Sequence, residues 1–279
     1  MERIKKNFGF GCMRLPMMGE DVDLEQSKKM VDAFLEAGFN YFDTAHGYIQ
    51  GKSELALKEC LTSRYPRDRY ILTDKLTATY FQKEEDIRPF FQSQLEACGV
   101  DYFDFYLMHA QGAGNFDHFR KCRAYETAFE LKKEGKIRHV GFSFHDTPEF
   151  LEKILTEYPE VEVVQIQFNY ADYDVQGGSA ASYALRFAAG FPGMMMVLSG
   201  MSTMEQMEDN ISFMKNFRPL DDKEMEAVRK VQEIFHKQNL IPCTGCRYCT
   251  DGCPKKILIP DLFAVMNTKQ IHTDWDADH

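Results

Sequence analysis

Asp43-Thr44-Ala45-His46-Gly47-Tyr48 follows the short apolar run Phe39–Phe42 and stands where a strand hands over to a loop. Upstream, residues 23–37 read as an amphipathic helix. Leu24, Val31, Phe34 and Leu35 recur at helical spacing, Asp23 is placed to cap it with Gln26 three residues on, and Gly38 stops it. Helix, short strand and polar loop form a unit that repeats along the chain. Strands are expected at Phe8–Met13, Tyr41–Thr44, Tyr70–Lys75, Phe103–His109, His139–Phe144, Val161–Phe168 and Met194–Leu198. Helices fall between most of them, including Pro148–Glu157 behind a Thr147 cap and Ala180–Ala189. Such alternation calls for parallel strands with helical crossovers. Units of roughly 30 residues repeated this often favour a (β/α)8 TIM-type barrel. No Gly-x-Gly-x-x-Gly turn follows a strand to argue for a dinucleotide fold of the doubly wound kind. One αβ unit is missing near Gly177-Gly178, because the seven strands countable here fall one short of that barrel.

Composition sets the outer bounds. A chain of 279 residues holds a barrel of about 250 with a small appendage. Hydrophobic residues at 44% and charged residues at 27% exclude a disordered or fibrous protein. With 33 basic against 43 acidic residues the formal charge is −10, which argues against a broad nucleic-acid surface. No apolar run approaches the roughly 18 residues of a membrane span, and the first ten residues lack the apolar stretch of a signal peptide. The expected setting is the reducing cytoplasm, with no membrane and no nucleic-acid partner. After Phe235 the composition changes, and residues 240–262 gather four cysteines, three prolines and two glycines. The chain therefore divides into a barrel, residues 1–236, and a small module, residues 237–279.

Chemistry in such a barrel belongs at the C-terminal ends of the strands. Asp43 ends the second expected strand, Lys75 the third and His109 the fourth, and Tyr48 lies in the loop after Asp43. Singly each has an ordinary structural explanation; jointly, four ionisable groups at one rim point to catalysis. The segments Gly9–Pro16, Asp43–Tyr48, Thr73-Asp74-Lys75, Leu107-Met108-His109, Val140–Ser143, Val164–Gln167 and Leu198–Met201 occur in one order over residues 8 to 215. In these segments the chain resembles the aldo-keto reductase superfamily, and the subgroup with a C-terminal ferredoxin-type 4Fe–4S module in particular.

The resemblance implies a tetrad of Asp43, Tyr48, Lys75 and His109. It also implies an oxidoreductase that reduces a small-molecule aldehyde or ketone with a hydride from NAD(P)H. The alkoxide that forms must receive a proton, and an ordinary phenol, with a pKa of about 10, is a poor acid near neutrality. An ammonium beside it favours the phenolate. Lys75 would play that part for Tyr48, held by Asp43, while His109 positions the carbonyl oxygen. Ser143 and Gln165 would bind the nicotinamide carboxamide. The turn from Ser199 through Gly200 and Met201 to Gln206 would hold the phosphate end, with Asn210 near adenine and Gly11 and Met13 completing the cofactor set. Two positions depart from the family: Phe144 stands where an asparagine often follows the serine, and Gly200 and Gln206 replace basic residues that grip a 2′-phosphate. Neither can pair with a dianion, so NADH and NADPH stand level. His46, Tyr80, Phe81 and Phe168–Tyr173 are expected near the substrate, in βα loops.

Eight cysteines divide by position. Cys12, Cys60, Cys98 and Cys122 read as small buried hydrophobes. Cys243, Cys246, Cys249 and Cys253 form C-x2-C-x2-C-x3-C-P with Pro254, the bacterial ferredoxin spacing. Zinc would more often show two separated Cys-x2-Cys knuckles. The fourth ligand of a 4Fe–4S cluster is then Cys253 or a distant cysteine, and the cluster is structural or passes electrons. Lys255 and Lys256 beside Arg247 would suit an acidic redox partner protein. Two other classes stay open: a redox-sensing nicotinamide-binding protein with little turnover, and a flavin-linked electron-transfer protein.

Overall fold

The computed structural model describes residues 3–166, 180–238, 241, 243, 248–251, 253–255 and 257–271. Gly177-Gly178 and the rest of 167–179, including Phe168–Tyr173, lie outside the described residues. Two compact units divide the chain, Met1–Phe168 with Leu185–Pro219, and Asn169–Ala184 with Leu220–His279.

The first unit carries strands β1 (Phe8–Gly11), β2 (Tyr41–Asp43), β3 (Ile71–Leu76), β4 (Phe103–Gln111), β5 (Ile137–Phe144), β6 (Val163–Ile166) and β7 (Val197–Gly200). All pair in parallel, in the order β6-β5-β4-β3-β2-β1-β7. The ladder thus follows barrel order, and among the described residues it stays open between β6 and β7. Among the described residues the sheet has seven strands, where the repeating units call for a ring of eight.

Strand periodicity shows that the sheet curls. Phe42, Leu72, Tyr106 and Met108 join the outer core against the helices, where Phe42 packs on Phe34 at 5.2 Å. The alternate residues Tyr41, Ile71 and Phe105 form a second cluster with Val163 of β6, Leu198 of β7, Met195 and Met196. Residues of β2, β3 and β4 meet residues of both edge strands only if the sheet bends around them.

Helices α1 (Leu24–Glu36), α2 (Lys52–Leu57), α3 (Glu84–Cys98), α4 (Phe116–Lys121), α5 (Ala124–Lys133), α6 (Pro148–Glu157), α7 (Ala180–Ala189) and α8 (Met204–Met214) connect or follow the strands. The caps act as the sequence indicates. Asp23 accepts from the Gln26 N–H at the start of α1, Thr147 accepts from the Phe150 N–H at α6, and Gly38 takes φ +90 behind α1.

Strand ends differ from expectation by one to three residues throughout, and two of the differences have a local cause. Cys12–Arg14 is a 3-10 turn, because the chain leaves the sheet ahead of Pro16, which has no N–H for a ladder. Met194–Met196 precede β7; an unbroken apolar run does not by itself distinguish a strand from the segment leading into it. At the N-terminal end of the sheet Asp104 accepts from Arg3 at 2.8 Å, Arg67 at 2.6 Å and the Leu72 N–H at 2.9 Å.

The second unit holds α9 (Asp222–Gln238), α10 (Tyr248–Asp251) and α11 (Ile259–Ile271). The Asn267 amide on α11 clasps the backbone of Ile241, donating to its C=O at 2.9 Å and accepting its N–H at 2.8 Å. No helix among the described residues is long and apolar enough to cross a membrane.

Of the sheet glycines, Gly141 of β5 leaves the least room for a side chain. A Cβ on Gly141 would stand 2.3 Å from the Val163 carbonyl oxygen and 2.4 Å from its Cγ2. Gly141→Ala is expected to lower unfolding free energy by about 2 kcal/mol through overpacking. Gly114→Ala, with no atom within 4 Å of the new methyl, stays within about 0.5 kcal/mol of the parent by urea denaturation.

Candidate active site

The alternation that curls the sheet also sorts its polar residues. On the inner face, above the Tyr41, Ile71 and Phe105 layer, β2 delivers Asp43, β3 delivers Lys75 and β4 delivers His109. Lys75 is 1% exposed. Its Nζ donates to Asp43 Oδ1 at 2.6 Å and to the Thr44 carbonyl at 2.7 Å. Burial pushes the Asp43 carboxyl up, and the Lys75 ammonium and the Gln165 side chain pull against that shift.

Tyr48 begins the turn Tyr48–Gly51, anchored by its N–H to the Ala45 carbonyl at 2.9 Å. Ile49 and Gln50 in that turn take φ +51 and +56, a left-handed path that non-glycine residues seldom follow. The turn brings the Tyr48 ring centroid to 4.7 Å from Lys75 Nζ and 5.9 Å from the His109 ring. All four residues of the tetrad expected from the sequence therefore meet at one rim. His109 is buried, and desolvation together with the Lys75 charge and His145 pushes its imidazole well below the usual range, so it is neutral at pH 7. Its Nδ1 lies 2.7 Å from Thr77 Oγ1.

Behind this face stands a buried polar layer that sequence reasoning missed. Asp74, next to Lys75, points the other way, and its Oδ1 accepts the Lys75 N–H at 2.7 Å. Gln94 of α3 donates to the Lys75 carbonyl at 3.1 Å and accepts from the Tyr106 hydroxyl at 2.5 Å. The Lys75 backbone is thus held at both its N–H and its C=O. Burial and the Glu54 carboxyl push Asp74 well above the carboxylate range, which fits two carboxyls sharing one proton. Glu54 also holds His46 Nδ1 at 2.8 Å and raises the His46 pKa. Ser53 bridges Thr44 Oγ1 at 2.8 Å and the Cys12 carbonyl at 2.9 Å. The available signal was position: Ser53 and Glu54 follow Tyr48 in one short segment, and Asp74 adjoins Lys75.

The expected cofactor residues lie along the same rim. The ladders pair Gly11 with Asp43 on one side and with Gly200 on the other, Phe10 with Ser199, and Ser143 with Gln165. Gln165 Oε1 is buried with no hydrogen-bond partner. It borders a cavity of about 430 Å³ between β6 and β7, which Tyr41, Leu107, Met195 and Leu198 also line. Ser143 Oγ accepts the Ala110 N–H at 2.7 Å, and Ser199 Oγ takes the Asn210 amide at 3.1 Å. Gln206 is exposed and accepts the Ser202 N–H at 2.7 Å. Met13 is exposed, whereas Met201 and Phe144 are buried in the core.

Of the residues expected near substrate, His46 packs edge-on to the Tyr80 ring at 4.7 Å, but Phe81 is buried and stacks on His118. Cys12, Cys60, Cys98 and Cys122 are buried, and burial pushes each thiol up, Cys60 to about 11. Cys243 and Cys249 are exposed, Cys253 is partly so, and Cys246 lies outside the described residues.

The aldo/keto reductase family model matches residues 7–178 and 173–233, and the chain belongs to this family. It is 28% identical over 162 residues to the NADH-specific methylglyoxal reductase of Escherichia coli, covering 51% of this chain and 48% of that protein. It is 28% identical over 152 residues to human aldo-keto reductase family 1 member C3, covering 48% and 46%. The chain spans about half the length of these curated relatives. In fold it is similar to an aldo-keto reductase from Klebsiella pneumoniae crystallised with NADPH, at TM-score 0.66 and 19% identity over 81% of this chain and 90% of that one. An aldo/keto reductase from Brucella melitensis gives TM-score 0.62 and 20% identity over 81% and 94%.

The two histidines titrate in opposite senses, which separates their effects on stability. His109 is depressed from 6.5, so as pH falls below that value the unfolded imidazole binds a proton that the folded one refuses, and stability drops. His46 is raised from 6.5, so its contribution is complete below 6.5 and is lost as pH rises through its folded value. His109→Gln is expected to flatten the loss below 6.5, leaving the part due to His145, which burial also depresses. The decline above 6.5 persists. Urea titrations across both windows measure the difference.

Proposed function

We propose that this chain is an NAD(P)H-dependent oxidoreductase that reduces a small-molecule aldehyde or ketone, with Tyr48 as the proton donor. The carrying observation is the buried Lys75 ammonium, fixed between Asp43 and the Thr44 carbonyl and directed at Tyr48, with neutral His109 beside it. The family assignment and a relative named as an NADH-specific methylglyoxal reductase support the same reading.

The chemistry that a bound nicotinamide supplies is a hydride for the carbonyl carbon. Gln165 and Ser143 would hold its carboxamide, and the unpartnered Gln165 Oε1 is an acceptor suited to an amide N–H. Gly11, Met13, Ser199, Gly200, Met201, Gln206 and Asn210 would line the remainder, with neither dinucleotide preferred. Tyr48 Oη and His109 hold the carbonyl oxygen from two sides, and His109, being neutral, donates without competing as an acid. As negative charge grows on that oxygen the Tyr48 proton moves to it. Lys75 stabilises the phenolate left behind, and Asp43 keeps Lys75 charged and in place.

Residues 237–279 would form a separate module in which Cys243, Cys246, Cys249 and Cys253 bind a 4Fe–4S cluster. The donor set fits. The described cysteines form no disulfide, Cys243 and Cys249 face solvent, and the Cys253 N–H to Thr250 carbonyl bond at 3.1 Å turns the chain after Cys249. A cluster there would supply one-electron transfer or a structural cross-link, and the exposed Lys255 favours an acidic redox partner.

Tyr48→Phe is expected to lower kcat/KM for aldehyde reduction at least about 1,000-fold while NADPH and NADH bind with unchanged Kd by calorimetry. Turnover retained by the variant rejects Tyr48 as the acid. Protein purified without oxygen should contain iron and inorganic sulfide in equal amounts, with a broad visible absorption that dithionite bleaches. Zinc instead of iron, or no metal, rejects the cluster.

A further inference from the structure

We propose that Thr77 is a positioning residue that sets the tautomer of His109, donating its hydroxyl proton to Nδ1 so that the ring proton sits on Nε2. The inference rests on the reading of His109 as a donor to the carbonyl oxygen, and it deepens that reading.

Thr77 follows Leu76, the last residue of β3. The β3–β4 register pairs Lys75 with Leu107 and Leu76 with Met108, so the next step sets Thr77 against His109. Thr77 also opens the 3-10 turn Ala78–Tyr80, where a threonine hydroxyl ordinarily caps a backbone N–H. It makes no cap bond here. Its Oγ1 lies instead 2.7 Å from His109 Nδ1.

A neutral imidazole carries one N–H, on either nitrogen, and its partners decide which. His109 is held neutral by burial, by Lys75 and by His145, and the Tyr48 ring faces it at 5.9 Å. An imidazole nitrogen is a stronger acceptor than a hydroxyl oxygen. Among the described residues the Thr77 hydroxyl makes no other hydrogen bond that could take its proton. The O–H therefore points at Nδ1 and the ring proton is left on Nε2. A ring protonated at Nδ1 would instead offer a lone pair from Nε2 to an oxygen that is gaining negative charge. Thr77 acts through His109 and has no part in the chemistry of its own.

Nitrogen NMR of 15N-histidine-labelled protein reads the tautomer directly, with His109→Gln supplying the assignment. The full chain should show His109 as the Nε2–H form at neutral pH. Thr77→Val, which keeps the side-chain shape, should shift the ring toward the Nδ1–H form. It should also lower kcat about tenfold, the worth of one neutral hydrogen bond, with Kd for NADPH unchanged and the acid limb of the rate–pH profile displaced. Thr77→Ser should restore both the tautomer and the rate. An Nδ1–H form in the parent protein, or a Thr77→Val ring with the parent's tautomer, overturns the proposal. A parent protein with the Nε2–H ring but no carbonyl reduction strikes the functional reading and leaves the Thr77–His109 coupling standing.

Discussion

The ion pair of Lys75 with Asp43 is the constraint around which the barrel end is built. An ammonium that is 1% exposed has lost its water, a penalty of several kcal/mol that only close, well-aimed partners offset. Two of its three N–H bonds reach Asp43 Oδ1 and the Thr44 carbonyl, and the ring of Tyr48 lies 4.7 Å away. Such a set works only if two strands and the loop that follows β2 hold their register. The polar layer on the opposite face of β3 serves that end. Asp74 and Gln94 grip the Lys75 backbone from behind, so the side chain extends from a fixed base. The stability of this end of the sheet and the aim of the ammonium are therefore one problem with one solution.

That solution explains which parts were legible in the sequence. Helix caps are local, and Asp23, Gly38 and Thr147 act where their neighbours indicate. Strand placement is nearly local, because short apolar runs between turn residues have few alternatives. Asp43, Lys75 and His109 stand out because an ionisable group at a strand end conflicts with packing. Asp74 could not be sorted from Lys75 by position alone. Only the alternation across β3, fixed by Ile71 facing inward and Leu72 outward, sends one to the site and the other to its support. Thr77 and Gln94 were illegible for a different reason. Each acts through a partner on another element, and nothing in a linear chain marks a partner 19 or 32 residues away. Phe81 errs the other way: a loop aromatic looks available, yet its ring is buried on His118.

Among the described residues no strand pairs with the outer edges of β6 and β7, yet the sheet curls. The inner cluster reaches both edge strands: Val163 of β6 and Leu198 of β7, with the flexible thioethers of Met195 and Met196, join Tyr41, Ile71 and Phe105. Among the described residues, this inner packing joins the two edge strands.

The charge state of the rim follows from the same burial. Lys75 is close enough to His109 to help keep its imidazole neutral, so the two basic groups do not both carry charge. In the proposed reaction this division matters. A protonated His109 would be a stronger acid than a phenol and would deliver the proton itself, making Tyr48 redundant. A neutral His109 can only orient the oxygen, and the proton must then come from the group whose conjugate base the ammonium stabilises. In the proposed reaction the ion pair would therefore do more than activate Tyr48: together with burial, its fixed positive charge would also remove the competing acid.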